Sequence, residues 1–316
     1  MPQFRRLYDH ALCGALGGLL GWMLFGELIS KDWEWWRSAL AGGALIGAVI
    51  GAALVGLPPL LDGAWRRAAR FTAVGVVLGI LGGAVGFWVG EAVHYTLLPA
   101  ADAPWLVRVA GALLDRALGW MLFGLAIGMA EGLAMRSWRK MGYGALGGTL
   151  GGLVGGAIFG LLMTLLSPGE SAYLWGQMIG LMILGAALGV LTALVEDVLR
   201  PAALRVLRGW HEGREYPLLK AVVIVGRDEA ADVLLLRDMN IAKRHARISQ
   251  QGDRYILELI DGTPDQTLRN HEPILGRADL HDGDRLQFGN TVVRFSRRLT
   301  PAAERLPAAV LTAAPA

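Results

Sequence analysis

Residues 142–166 read GYGALGGTLGGLVGGAIFGLLMTLL, a run without a charged side chain in which glycine recurs at every fourth position from 144 to 160. A helix of this length crosses a bilayer, because about 20 apolar residues span the hydrocarbon core and a helix satisfies its own backbone hydrogen bonds. Five other stretches have the same character, at 10–30, 39–61, 71–94, 108–135 and 176–198. The sequence therefore predicts an all-α bundle of six transmembrane helices over residues 1–200.

The composition changes at about residue 200. Residues 1–200 contain 36 of the 44 glycines and 25 charged residues, whereas residues 201–316 contain 8 glycines and 32 charged residues. The first part has the composition of a membrane domain and the second that of a water-soluble domain. Neither part has the large basic excess of a nucleic-acid-binding protein. The single cysteine, Cys13, excludes an internal disulfide framework and a Cys-rich metal site.

Basic residues are distributed unevenly between the two sides of the predicted spans. The N-terminus, the second and fourth connections and the segment after the last span hold eleven Lys and Arg residues, and the opposite side holds four. Because Lys and Arg are enriched on the cytoplasmic side, the sequence predicts a multi-pass protein of the cell membrane with both termini in the cytoplasm. The basic loops also divide the bundle into three hairpin-like repeats, pairing the first helix with the second, the third with the fourth and the fifth with the sixth.

Glycine recurs at four-residue spacing in every predicted span. Residues four apart lie on one helix face, and a face without side chains lets neighbouring helices approach closely in lipid. The fifth span carries a second row, Gly147, Gly151 and Gly155, which predicts contacts on two sides and a central position in the bundle. Such a glycine zipper is typical of tight packing in a membrane anchor. The alternative use of the same rows is a pore or a sliding interface in a homo-oligomer.

Ionisable residues in the spans are few, and they lie near the span ends. Asp115 and Arg116 are adjacent near the start of the fourth span, Glu91 closes the third on the same side, and Glu131 lies within about a turn of Arg136. Pairing with neighbouring charges and extension to the membrane surface account for such residues. The lack of a charged residue at mid-depth argues against a proton-coupled pump.

The sequence periodicity changes after Arg200. Residues 201–213 predict an amphipathic linker, and short apolar runs then alternate with turns such as Asp261-Gly262 and Asp282-Gly283. The predicted strands are 218–225, 233–236, 246–248, 254–260, 285–288 and 291–295. Many short strands with regular turns predict an all-β antiparallel sandwich over residues 214–298. The Ala- and Pro-rich segment 299–316 predicts a disordered tail.

The sandwich segment contains four landmarks in a specific order. They are Gly226-Arg227 after the first long strand, IAKRHARI at 241–248, TLRN at 267–270 and LHDGDRLQFG at 280–289. In this order they resemble a forkhead-associated (FHA) domain, a β-sandwich whose loops at one end bind phosphothreonine peptides in that family. Together with the Ala- and Gly-rich spans, the resemblance predicts a bacterial inner-membrane protein.

The resemblance also implies roles for individual residues. The implied phosphopeptide-binding residues are Arg227, Lys243, Arg244 and Asn270, and His245 is implied to support the binding loop. The family's Ser position is Ala242, and its Asn-Gly turn appears as Asp265-Gln266. Loss of a hydroxyl donor and gain of a carboxylate are both expected to weaken phosphate binding, because phosphate is held best by guanidinium, hydroxyl and amide donors.

No catalytic constellation is evident, since His211, His271 and His281 lack partners at metal-ligand spacing. The sequence predicts neither an enzyme, a metal site nor a cofactor. We expect a membrane protein that presents a cytoplasmic FHA domain as a signalling or assembly platform, with a phosphothreonine-containing or other cytoplasmic protein as partner. The alternative is a channel or transporter whose glycine-rich bundle is regulated by that domain. The basic residues around Arg227 also leave an anionic lipid headgroup open as the ligand.

Overall fold

The computed structural model describes residues 2–29, 33–97, 104–166 and 170–297. The chain divides into two compact units between Leu199 and Arg200. The first unit is built from α-helices and the second from β-strands, so the predicted fold class is confirmed. The predicted disordered tail at 299–316 lies outside the described residues.

The first unit contains six α-helices, each long and apolar enough to cross a membrane. They are α1 (Pro2–Leu28), α2 (Trp35–Leu61), α3 (Trp65–Leu97), α4 (Trp105–Ala134), α5 (Trp138–Leu166) and α6 (Glu170–Leu199). Each helix begins several residues before the predicted span, and a tryptophan begins each of α2 to α5. Trp favours the membrane interface, because its ring is mostly apolar while its N–H needs a polar partner.

The six helices form a closed ring in chain order, because α1 packs against α6 as well as against α2. In the closest contacts between helices, a glycine of each helix lies against the backbone of the other. These contacts, which we call seams, occur between α2 and α3, between α4 and α5 and between α1 and α6. A methyl group on Gly47 would lie 2.0 Å from the Gly79 carbonyl oxygen, and one on Gly79 would lie 2.1 Å from the Gly47 oxygen. The corresponding pairs at the other two seams are Gly128/Gly144 and Gly14/Gly185. These glycine contacts therefore join helices that belong to different predicted hairpins, and the two helices of each predicted hairpin also pack against each other.

Helix α5 uses its two glycine rows on two different neighbours. A methyl group on Gly148 would lie 2.1 Å from the Gly124 carbonyl oxygen of α4, and one on Gly151 would lie 2.7 Å from the Leu188 Cα of α6. The predicted two-sided contact is therefore present. The predicted central position is wrong, because α5 occupies one place in the ring between α4 and α6.

A single buried apolar cluster is built by all six helices. One residue from each helix illustrates it, in order Cys13, Ile50, Phe71, Phe123, Phe159 and Leu184. Aromatic edge contacts of Trp120 with Phe87, Phe123 and Phe159 tie α3, α4 and α5 together within this cluster. Among the described residues, the glycine rows thus face neighbouring helices of the same chain, and bulky side chains fill the interior.

Charged side chains of the first unit pair across helices. Arg116 binds Glu91 with 2.6 Å between Nη1 and Oε1, in line with the expected pairing of end charges. Glu131 binds Lys140 of α5 with 2.6 Å between Oε1 and Nζ, so the opposite charge that it reaches lies on the next helix. The side chain of Asp115 lies outside the described residues.

In its described residues, 200–297, the second unit is a sandwich of two sheets with eleven strands. The strands are β1 (Ala202–Arg208), β2 (Glu215–Pro217), β3 (Val222–Gly226), β4 (Val233–Leu234), β5 (Ala246–Gln251), β6 (Arg254–Leu259), β7 (Thr267–Arg269), β8 (Glu272–Pro273), β9 (Arg277–Leu280), β10 (Arg285–Phe288) and β11 (Thr291–Arg297). One sheet has the order β2-β1-β11-β10-β7-β8 and the other has the order β4-β3-β5-β6-β9. Strands β3 and β4 are parallel, and the other pairs are antiparallel.

The linker predicted at 201–213 is wrong, because most of it forms β1 and the turn that follows. Strand β1 lies between β2 and β11, with Leu204 paired to Phe295 and Val206 paired to Val293. Leu204 and Val206 are buried while Arg205 between them is exposed. Over so few residues an alternating strand pattern resembles an amphipathic helical one, and only pairing with β11 distinguishes them.

Candidate functional site

Three loops meet at one end of the sandwich. They are the β3–β4 loop (227–232), the β4–β5 loop (235–245) and the β6–β7 loop (260–266). Backbone hydrogen bonds join them, from the N–H of Arg227 to Ala242 O at 3.2 Å, of Asp228 to Lys243 O at 3.2 Å and of Asp261 to Arg244 O at 3.1 Å. The segment 242–244 thus binds the other two loops and fixes the backbone on which the predicted site residues lie.

Gly226 lets the end of β3 approach this segment closely. A methyl group at Gly226 would lie 2.1 Å from the Lys243 carbonyl oxygen, which is far inside van der Waals contact. A larger residue would separate the β3–β4 loop from the β4–β5 loop. The Gly226-Arg227 pair of the sequence therefore places Arg227 where the loops converge.

His245 lies fully buried beneath the loops and joins two of them. Its Nδ1 accepts a hydrogen bond from the Ala242 N–H at 3.1 Å, and its Nε2 lies 2.8 Å from the Thr267 Oγ1. The Thr267 hydroxyl donates its own proton to the Thr263 carbonyl oxygen at 2.9 Å, so its oxygen is free to accept. These partners require the neutral His245 tautomer with its proton on Nε2.

Burial lowers the pKa of His245, although the negative charge of Asp238 acts in the opposite direction. The lowered pKa agrees with the hydrogen bonds, because a second proton on Nδ1 would meet the Ala242 N–H donor. The loop-supporting role implied by the resemblance remains a proposal for this chain, and the contacts of His245 support it.

Arg227 lies at the convergence of the loops with little to satisfy its guanidinium. Its Nη1 lies 3.6 Å from the Met239 Sδ, which is a weak acceptor, and its Nε is buried without a hydrogen-bond partner. A guanidinium whose N–H groups lack good acceptors gains free energy when an anion supplies them. The arrangement therefore suits an oxyanion that accepts from Arg227.

Lys243 and Arg244 are exposed on the segment that adjoins Arg227. The structure thus brings three of the four predicted binding residues to one end of the sandwich. The family's hydroxyl position remains Ala242, whose side chain offers no donor. Asp265 and Gln266 are exposed in a short 3₁₀ turn of the β6–β7 loop, so a carboxylate stands at the rim of the site.

Asn270 does not lie with the other predicted site residues. It follows β7 at the end opposite Thr267 and His245, where its Nδ2 donates to Asp284 at 2.7 Å and its Oδ1 accepts from the Arg285 N–H at 2.9 Å. Its backbone has a φ of 51°, a left-handed conformation that Asn tolerates better than most residues. Its role is to form the β7–β8 turn, so its assignment to the binding site is wrong.

Asp238 organises the β4–β5 loop, and the sequence analysis missed it. Its carboxylate accepts hydrogen bonds from the N–H groups of Asn240 and Asn290 and from the Thr291 hydroxyl, at 3.1, 2.7 and 2.9 Å. The loop is thereby fixed to the β10–β11 turn. The Asp-x-Asn pattern at 238–240, typical of a side-chain-capped turn, was the available signal.

No group of three or more His, Cys, Asp or Glu residues close enough to hold a metal ion occurs among the residues that the structure describes. The chemistry that the loop end offers is that of cation and amide donors for an anion. The C-terminal unit is an FHA-like domain. Together with the bundle of apolar helices, it puts the chain in the class of membrane proteins that carry an FHA-like domain.

Comparisons with known proteins agree with this class. Residues 205–298 match the family described as the cytoplasmic domain of an inner membrane component of the type III secretion system (T3SS). No curated protein matches the chain.

Several solved structures are similar to the C-terminal unit. One is an FHA domain studied for its phosphothreonine-dependent interactions, with 26% identity, coverage of 32% of this chain and 99% of that chain, and a TM-score of 0.29. An FHA domain from Chlamydia trachomatis has 24% identity, coverage of 31% and 99%, and a TM-score of 0.29. The cytoplasmic domain of the T3SS sorting platform protein PscD from Pseudomonas aeruginosa has 24% identity, coverage of 37% and 96%, and a TM-score of 0.27.

Proposed function

We propose that this protein is a multi-pass inner-membrane component that presents its FHA-like domain to the cytoplasm as an assembly platform for phosphothreonine-containing proteins. The observation that carries the proposal is the Arg227 guanidinium: within the described residues its Nε is buried without a hydrogen-bond partner, and its Nη1 donates to the weak thioether acceptor of Met239. Phosphothreonine carries nearly two negative charges and three acceptor oxygens, which match such a donor.

Three features support the membrane location. The six helices are long and apolar enough to cross a bilayer, which supports a membrane location, and six spans would leave the N-terminus and the C-terminal unit on the same side. The excess of basic residues on that side favours the cytoplasm. The family match at 205–298, to an inner membrane component of the T3SS, favours the bacterial inner membrane and an assembly role.

The alternative of a regulated channel or transporter receives less support. A conducting bundle needs a polar or open path, and the buried cluster from all six helices is apolar and filled by side chains such as Ile50, Phe123 and Leu184. The glycine rows that suggested a pore are used for contacts between neighbouring helices. We therefore assign the membrane unit the role of an anchor.

The phosphothreonine proposal is tested with the full chain in nanodiscs of phosphatidylcholine. Binding of a fluorescent nine-residue peptide with a central phosphothreonine is measured by anisotropy for the wild type and for Arg227→Ala. Because a hydrogen bond to a charged group contributes about 1.5–3 kcal/mol, we expect the variant to bind at least about tenfold more weakly.

Two control variants make the result specific. Arg254→Ala removes an exposed Arg at the opposite end of the sandwich, so it changes net charge without touching the loops. Asn270→Gly tolerates the left-handed backbone and lies away from the loop end, so we expect wild-type affinity. Equal binding by the wild type and Arg227→Ala, or equal binding of phosphorylated and unphosphorylated peptides, would contradict the proposal.

A further inference from the structure

Three arginines lie side by side on the outer face of the six-stranded sheet. Arg205 of β1 pairs directly with Arg294 of β11, and Arg294 pairs directly with Arg285 of β10. All three are exposed, and each adjoins a buried residue of its own strand. Directly paired residues of antiparallel strands project from the same face, with their Cβ atoms about 5 Å apart. We call these three residues the arginine row.

The arginine row has no counter-charge bound to it. Among the residues that the structure describes, none of its three guanidinium groups makes a hydrogen bond or an ion pair. Glu215 of β2, which pairs with Arg205, is bound to Arg200 with 2.5 Å between Oε2 and Nη2. Asp282, in the turn before β10, accepts a hydrogen bond from the Arg297 N–H at 2.8 Å. The row therefore presents three cations whose donors are free for an external anion.

The other sheet carries a similar row in which the charges alternate. Arg247 of β5 pairs with Glu258 of β6, which pairs in turn with Arg277 of β9. Arg247 Nη2 lies 2.5 Å from Glu258 Oε2, and Arg277 Nε lies 3.7 Å from Glu258 Oε1. Opposite charges that face each other across strands stabilise a sheet, whereas like charges in the same positions destabilise it. The arginine row therefore lowers the stability of the free domain, and an anionic surface that covers it recovers this loss.

We propose that the arginine row binds the phosphodiester headgroups of anionic lipids at the membrane surface. A guanidinium donates two parallel hydrogen bonds to a phosphate group, and a row on an exposed sheet face suits an extended layer of such groups. Arg205 follows Leu199, the last residue of α6, by only six positions. Basic clusters that directly follow a span are attracted to anionic lipid, and the attraction acts within about one Debye length of the surface.

The test measures binding of the full chain in phosphatidylcholine nanodiscs to sucrose-loaded vesicles by co-sedimentation. We expect the wild type to bind vesicles of equimolar phosphatidylcholine and phosphatidylglycerol more tightly than vesicles of phosphatidylcholine alone. Each Arg near an anionic surface contributes about a fivefold factor in affinity, so Arg294→Gln binds about fivefold more weakly. The triple variant with Gln at 205, 285 and 294 binds about a hundredfold more weakly by the same factor.

A matched triple variant on the other sheet separates the arginine row from net charge. Substitution of Arg247, Arg254 and Arg277 by Gln removes three exposed cations from β5, β6 and β9. We expect this variant to bind the anionic vesicles as the wild type does. Thermal unfolding checks that the row variants are folded, and their unfolding temperature stays the same or rises because like charges are removed.

The outcomes separate lipid binding from the other possibilities. Equal losses in the two triple variants would show that net charge accounts for vesicle binding, and the arginine row would be wrong. Wild-type binding by the row variants would overturn it as well. If a polyglutamate peptide binds through the row while anionic vesicles do not, the partner is an acidic protein and the lipid assignment is overturned.

This inference is separate from the proposed function, because the arginine row lies on strands and Arg227 lies in a loop. We expect the triple row variant to bind the phosphothreonine peptide as the wild type does. Loss of vesicle binding with retention of peptide binding supports the row. Loss of both in the triple variant would show that the substitutions disturb the whole domain, and it would overturn the row as a separate site.

Discussion

His245 shows at the scale of a single residue how the loop end depends on protonation. Its two ring nitrogens have opposite roles, one as an acceptor from the Ala242 N–H and the other as a donor to Thr267. Only the neutral ring provides both, and burial lowers the pKa of His245 in the folded state. A methyl group on Gly262 would lie 2.7 Å from the His245 Nε2, so the ring is closely enclosed.

A pH dependence of stability follows from the lowered pKa. The unfolded chain binds a proton at about pH 6.5, whereas folded His245 resists it, so this residue lowers the free energy of unfolding as the pH falls below about 6.5. The loss is complete once the pH is below the folded pKa. We expect His245→Gln to lose less stability than the wild type between pH 7.5 and 5.5, as measured by urea unfolding in micelles. Parallel pH curves for the two proteins would contradict this prediction.

The spacing of glycines along a helix determines how closely that helix packs against its neighbour. At the α2/α3 seam each glycine presents its carbonyl oxygen to the position that a partner side chain would occupy, as Gly47 and Gly79 do. Such approaches permit close backbone packing and Cα–H to oxygen contacts, which hold helices together in lipid where the hydrophobic effect does not. The glycine row is therefore a requirement of the seam.

Substitution of a seam glycine is expected to separate two helices. The added methyl group of Gly47→Ala would lie 2.0 Å from the Gly79 carbonyl oxygen, so we expect a cost of about 1–3 kcal/mol from overpacking. The matched control is Gly142→Ala, because nothing lies within 4 Å of that methyl position. Alanine favours a helix over glycine, so the control is expected to be neutral or slightly stabilising. Thermal unfolding of both variants by circular dichroism in micelles is the measurement, and equal losses would contradict the seam.

In the first unit as a whole, a network of buried ion pairs joins helices that are distant in sequence. Arg6 of α1 binds Glu196 and Asp197 of α6, with 2.7 Å between its Nη1 and the Asp197 Oδ1. Lys140 of α5 lies 3.5 Å from Glu196 and also binds Glu131 of α4. The network connects four helices at one end of the ring. Its Arg6 ion pairs join the first helix to the last.

Substitution of Arg6 tests whether its ion pairs stabilise the first unit, and the neighbouring Arg5 serves as the control. Arg6→Met removes the cation that binds both the Glu196 and the Asp197 carboxylates, and we expect a loss of about 3 kcal/mol in the free energy of unfolding. Arg5→Met removes the same charge from the exposed neighbouring position, so it controls for effects of charge on membrane topology. Resistance to unfolding by sodium dodecyl sulfate is the measurement. A loss of equal size in Arg5→Met would show that net charge, and not the network, stabilises the unit.

The amino-acid sequence alone determined the six apolar helices, the division near residue 200 and the β-sandwich, because hydropathy, charge and strand periodicity are local properties. It also indicated Arg227, Lys243 and Arg244 as candidate binding residues, since they lie in loops whose order the landmarks defined. These features follow from the chemistry of each segment in water or in lipid, and they do not depend on which element packs against that segment.

Only the tertiary structure decided which segments meet. It paired the glycine rows across α2/α3, α4/α5 and α1/α6, joined Glu131 to Lys140, made a strand of 202–208 and moved Asn270 to the far end of the sandwich. Each of these depends on a partner distant in sequence. Several segments could serve as the partner of each element. Packing selects the one that fits closely against the element and pairs every buried charge and amide.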